Sequence, residues 1–273
     1  MESVWLALLL SSLAGLSTTI GSFIAFFMKK PNPRFVSFIM GFSAGVMILI
    51  SFVELLQESI TSIGFLQGLL FFFLGMLIMF LIDIFVSHKY EFEDSIEMLV
   101  SDNGKCEPHI HYGHRHHHQE NIKNQALIKA TLFIFLGVFI HNFPEGMATF
   151  VGTLKEARLG ILLAVAIALH NIPEGIAVAV PLYACTGSRG KAFKWSFISG
   201  ISEPLGALVT WIFLFPFIND ITLSAMLGVV AGIMVYISLD ELLPVSRSLA
   251  KEHYSILGII AGMFIMAISL SIL

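Results

Sequence analysis

Eight stretches of the chain are apolar, and each is long enough to cross a lipid bilayer: approximately 4–28, 35–56, 64–86, 127–151, 159–184, 192–215, 222–244 and 255–273. A helix spanning the ~30 Å hydrocarbon core needs about 20 residues, and unpaired backbone in hydrocarbon is too costly for anything but helices or closed barrels. The expected fold is therefore all-α, a polytopic membrane protein of eight transmembrane helices forming a single domain over 1–273. Composition agrees. Only 12% of the 273 residues are charged and the mean hydropathy is +0.86, against roughly 25% charged in ordinary soluble domains. A water-soluble enzyme is excluded, and the net charge of −4 speaks against a nucleic-acid partner. The first run is read as a span and not as a cleavable leader, because Glu2 stands where a basic segment would be and the run is too long.

Loop charge predicts the orientation. Loops after odd-numbered spans carry Lys29, Lys30, Arg34, Lys89, Lys105, Arg115, Lys123, Arg189, Lys191, Lys194, Arg247 and Lys251, whereas those after even-numbered spans carry only Lys155 and Arg158. By the positive-inside rule the odd loops face the cytoplasm and both termini lie outside, in a plasma or inner membrane. Cys106 and Cys185 then face the reducing side, which argues against a disulfide. The long polar connection 87–126 contains His109, His111, His114, His116, His117 and His118. Such a segment buries too little apolar surface to fold alone, so it is expected to be a disordered cytoplasmic loop whose imidazoles collect metal, or else serve only as a solvated spacer.

Two internal repeats constrain the architecture further. AGVMILISFVELLQES (44–59) aligns without gaps on AGIMVYISLDELLPVS (231–246), and HNFPEGMATFV (141–151) on HNIPEGIAVAV (170–180). Shared His, Asn, Pro and Glu do not arise from hydrophobicity. Each pair lies on spans an odd number apart, so its members run in opposite directions through the bilayer. This is the signature of a 3+2+3 inverted repeat about an axis in the membrane plane, an arrangement found in transporters.

The chemistry falls at the centre of that arrangement. His141 and Glu145 are separated by i to i+4 and Asn142 and Glu145 by i to i+3, so all three share one helical face, as do His170, Asn171 and Glu174. An uncompensated acidic side chain at mid-membrane costs on the order of 2.5–3.5 kcal/mol. A duplicated set of imidazoles, amides and carboxylates fits a divalent transition metal, and a structural polar core is the plainer alternative. Pro144 and Pro173 are expected to kink the spans there, and Gly146 and Gly175 to admit a neighbouring backbone. Glu203 adds a third mid-membrane carboxylate. Met47 is a soft candidate ligand, although methionine in a span more often packs. Glu54 and its repeat mate Glu241, beside Asp240, are candidate mouths of a pathway, or simply solvated helix ends. Gly64, Gly68 and Gly75 leave open packing within one chain or between two, so a homodimer is one open assembly.

The paired HNxPEG motifs resemble those of the ZIP (Zrt/Irt-like) divalent metal transporters, and the AGIMVYISLDELLP run narrows the resemblance to the family's bacterial zinc transporters. It covers essentially the whole chain. The resemblance implies a binuclear centre, with His141, Glu145, His170 and Glu174 on one ion and Asn142, Glu145, Asn171, Glu174 and Glu203 on the other. It also implies metal flow into the cytosol. The function expected is uptake of zinc, with iron, manganese or cadmium as further substrates, and no cofactor or catalysis. The alternative from another class is an intramembrane metal-dependent hydrolase; no HExxH motif is present, and symmetry duplicates every candidate group.

Overall fold

The computed structural model describes residues 2–27, 32–86, 138–186, 188–217, 219–249 and 252–272. Among these, every regular element is helical. Helix α1 is Glu2–Phe27. Helix α2 is Pro33–Ile63, interrupted by a π-helical turn at Ser51–Leu56, and α3 is Phe65–Val86. The described part of α4 is 138–155, and α5 is Ala157–Thr186. Helix α6 is Arg189–Phe217. Helix α7 runs through Asp220–Ile237, a π turn at Ser238–Leu242 and a last segment Leu243–Leu249. Helix α8 is Glu252–Ile272. Seven of these are long and apolar enough to cross a membrane, all but the described part of α4.

Local chemistry sets the ends. Asn32 caps α2, accepting from the Arg34 amide, with Pro33 at the first helical position. Asn219 caps α7 by accepting from the Thr222 amide at 2.9 Å. Gly64, at φ 100, ends α2 and turns the chain directly into α3. Helix α2 continues past the expected boundary at 56, because QESITSI is polar but still helix-forming. Helix α7 likewise passes Pro244, which follows a π turn where the i→i−4 ladder is already interrupted. The segment 87–126, its six histidines, Cys106 and the expected start of α4 lie outside the described residues.

The helices are apolar outside and polar within. Phe65, Leu66, Leu70 and Phe73 of α3 and Leu257, Ile260 and Phe264 of α8 are exposed, while His141, Glu145, His170, Glu174 and Glu203 are buried. That distribution is adverse in water and favourable in hydrocarbon, where apolar side chains lose nothing by facing out.

The inverted repeat is visible as paired contacts. A Cβ on Gly45 of α2 would meet the Ile259 backbone of α8, and one on Gly232 of α7 would meet the Phe72 backbone of α3. These are the same contact, shifted by the offset that aligns Ala44 with Ala231. In the other group Gly21 of α1 faces the Ile172 backbone of α5, and Gly206 of α6 faces the Phe143 backbone of α4. Gly15 and Gly200 face each other's carbonyls directly. Helices α1, α4, α5 and α6 thus form one close-packed group and α2, α3, α7 and α8 the other, and α2 packs on α5 between them. Gly68 and Gly75 pack on Ile60 and Val229 of the same chain, so these two glycines serve packing within the chain.

Candidate metal centre

Helices α4 and α5 bring their duplicated faces together. His141 Nε2 lies 3.0 Å from Glu174 Oε2, and His170 Nε2 lies 3.0 Å from Glu145 Oε1. Each imidazole therefore pairs with the carboxylate of the other helix, as a two-fold axis requires. All four residues are at most 1% exposed. Both helices stay helical through Pro144 and Pro173. The expectation for Gly146 and Gly175 holds: a Cβ there would collide with the Glu203 and Thr18 backbones respectively.

Glu203 joins this centre from α6. Asn171 Nδ2 donates to Glu203 Oε1 and also to the Ala14 carbonyl of α1, the latter at 3.0 Å. Helix α1 contributes a residue that sequence reasoning missed. The contacts of Gly146 and Gly175 make Thr18 the repeat mate of Glu203. Thr18 is fully buried, and its hydroxyl has no partner among the described residues. Ser12, Ser17, Thr19 and Ser22 bond back to their own helix. The sequence signal was the spacing Gly15, Gly21 against Gly200, Gly206, too sparse to read without the packing.

Several buried polar atoms of the centre lack hydrogen-bond partners among the described residues: both ends of the Asn142 amide, Asn171 Oδ1, Glu145 Oε2, Glu174 Oε1 and Glu203 Oε2. Each such atom costs about 1–3 kcal/mol, and three carboxylates share one buried volume. Divalent cations are the partners that would satisfy both demands. No group of three or more His, Cys, Asp or Glu among the described residues converges in an ion-holding arrangement. The geometry shows why. In a tetrahedral site with metal–ligand bonds near 2.0–2.2 Å the donor atoms stand about 3.3 Å apart, whereas the pairs here are closed to hydrogen-bonding distance, 3.0 Å.

Of the three π turns among the described residues, at Ser51–Leu56, Thr210–Leu214 and Ser238–Leu242, the first and last occupy equivalent repeat positions. Ser51 Oγ donates to the Met47 carbonyl and Ser238 Oγ to the Met234 carbonyl, both at 2.7 Å. One turn carries Glu54 and the other carries Asp240 and Glu241. Their repeat mates do not share an environment. Glu241 Oε2 is 3.7 Å from His141 Nδ1, which brings it to the edge of the centre and not only to a helix end. Glu54 lies in the α2 turn on the side of Glu58 and the α4–α5 junction. Met47 and Met234 are fully buried in the largest apolar cluster, the packing alternative for Met47.

Comparison with known proteins follows the same outline. A family model described as ZIP Zinc transporter matches residues 84–270. The chain is 46% identical to the Zinc transporter ZupT of Clostridium perfringens (strain 13 / Type A), over 99% of this chain and 96% of that protein. It is 45% identical to the Zinc transporter ZupT of Campylobacter jejuni subsp. jejuni, over 100% and 98% respectively. Against the Zinc transporter ZupT of Oceanobacillus iheyensis the figure is 46% over the full length of both.

Proposed function

The chain belongs to the ZIP family of zinc transporters, and from that premise we propose that it carries divalent transition-metal ions, zinc first, across the cell membrane into the cytosol. The observation that supports this is the crossed pairing of His141 with Glu174 and His170 with Glu145 about an inverted-repeat axis. A carrier needs a site that both faces can reach in turn, and a site on such an axis meets that need. Iron, manganese and cadmium suit the same mixed nitrogen and oxygen donors. Family membership makes the chain a transporter and not an enzyme, and leaves the hydrolase alternative without support.

In this reading His141, Glu145, His170 and Glu174 hold one ion. Asn142, Asn171 and Glu203 hold a second with the two glutamates bridging. Two divalent charges then face three carboxylates, so the ions offset the buried negative charge that would otherwise be left unpaired. Met47 is not needed for this donor set. Glu54 stands toward the outer mouth, and Asp240 and Glu241 toward the inner one. The segment 87–126 is a cytoplasmic loop whose histidines collect metal, both termini are extracytoplasmic, and assembly as a homodimer is compatible with the lipid-facing helices. Rocking of the two helix groups about the centre exposes it to one side at a time.

The test is uptake of radioactive zinc into proteoliposomes, with Mn²⁺, Fe²⁺ and Cd²⁺ as competitors, by wild type and Glu145→Ala. Wild type accumulates zinc, and the variant falls at least about tenfold, because its loss removes a ligand shared by both ions. Undiminished uptake by the folded variant would sink the central site.

A further inference from the structure

In a perfectly symmetric inverted repeat the forms open to either side would be equal in energy, so a departure from the symmetry biases one of them. One departure lies well away from the metal centre. Lys155, at the end of α4, reaches three acceptors at once: Glu58 Oε1 at 2.6 Å, Ser62 Oγ at 2.6 Å and Ser224 Oγ at 2.5 Å. These use all three hydrogens of the ammonium. Glu58 and Ser62 stand on the last turns of α2, and Ser224 on the first turns of α7. Ser62 also donates to Glu58 Oε1 at 3.0 Å, and Ser224 to the Asp220 carbonyl at 2.8 Å. The network ties the end of α4, in one helix group, to the ends of α2 and α7, in the other.

At the opposite face the repeat mates are Ala184 for Lys155, Val245 for Glu58 and Leu249 for Ser62, none of them able to form such a network. There Ser37 and Ser246 instead exchange reciprocal bonds, each hydroxyl donating to the other's carbonyl at 2.6 Å. The mates of that pair, Ser224 and Ser59, do not do so: Ser224 is engaged by Lys155, and the buried Ser59 hydroxyl has no partner among the described residues. Lys155 has thus replaced a symmetric clasp within one group by a clip between the two.

We infer that Lys155 and Glu58 form an ion-pair clip that closes this face of the transporter and must break for the central site to open there. It rests on the transport reading only for its consequence; the clip itself is testable without metal. Below it, Val151 of α4 is buried in the same apolar cluster as Leu223 and Leu227 of α7. Opening the clipped face exposes that position.

The test uses the full chain in a C106S/C185S background with V151C, reconstituted in liposomes, and follows labelling by a membrane-impermeant maleimide applied to the face bearing Lys155. K155M and E58Q are each expected to speed labelling about 3- to 10-fold, the worth of a partly buried ion pair, and the double variant to add little. The charge-reversed pair K155E/E58K restores slow labelling. Equal rates in all variants, or additive effects of the two single changes, would overturn the clip. Accelerated labelling in a protein that takes up no zinc would keep the clip and remove the transport reading.

Discussion

At the residue scale the centre is nearly but not fully two-fold. His141, Asn142 and Glu145 have identical mates in His170, Asn171 and Glu174, but Glu203 on α6 is matched by Thr18 on α1. A carboxylate would bring a full charge to an ion and a hydroxyl only a dipole, so in the proposed two-ion reading the two sides of the axis are unequal. Glu203→Gln is therefore expected to lower the zinc bound per chain from two ions toward one, as measured by elemental analysis after equilibrium dialysis. Thr18→Val, which removes the hydroxyl and keeps the shape, is expected to leave both ions bound. The matched pair of substitutions separates loss of a ligand charge from disturbance of the α1–α6 packing. Glu203 was legible in the sequence as an acid in an apolar run. Thr18 was not, because one threonine among the hydroxyl-rich residues of α1 carries no mark of its position.

At the element scale the fold depends on backbones brought close at glycines, since helices in lipid gain little from burying apolar area and must instead pack tightly. A Cβ at Gly146 or Gly175 would run into the Glu203 or Thr18 backbone, whereas one at Gly190 meets nothing within 4 Å. Gly175→Ala is expected to destabilise the protein by about 1–3 kcal/mol, the usual cost of overpacking, and Gly190→Ala to be near neutral. Thermal unfolding in detergent measures both, and a similar midpoint for the two variants would remove the close-approach reading. The duplicated HNxPEG segments told in advance that α4 and α5 meet, and the parity of their spans told that they run in opposite directions. The π turns at Ser51–Leu56 and Ser238–Leu242 were not legible. An extra residue per turn leaves hydropathy unchanged and shifts only which face the following side chains occupy, as it does for Glu54 and Glu241.

At the scale of the whole molecule the two helix groups share one pseudo-symmetry, and Lys155 breaks it on one face. The segment 87–126 lies outside the described residues, and its proposed role is metal collection apart from the transport pathway. Deleting 108–119, with its six histidines, is expected to retain most zinc uptake and to change its dependence on metal concentration. Uptake assays across a range of free zinc check this, and complete loss in a membrane-inserted protein would make the segment part of the pathway.

The sequence by itself determined the environment and the helices, because eight runs of apolar residues have no other stable arrangement in a bilayer. It also determined the inverted repeat and most of the centre, since ionisable side chains in such runs are too costly to be incidental. Only the tertiary structure decided that each histidine pairs with the glutamate of the other helix, that Glu241 reaches His141 while its mate Glu54 lies elsewhere, and that Lys155 joins α4 to α2 and α7. These are contacts between residues far apart in the chain, set by helix rotation and close backbone approach, and neither hydropathy nor spacing along the sequence encodes them locally.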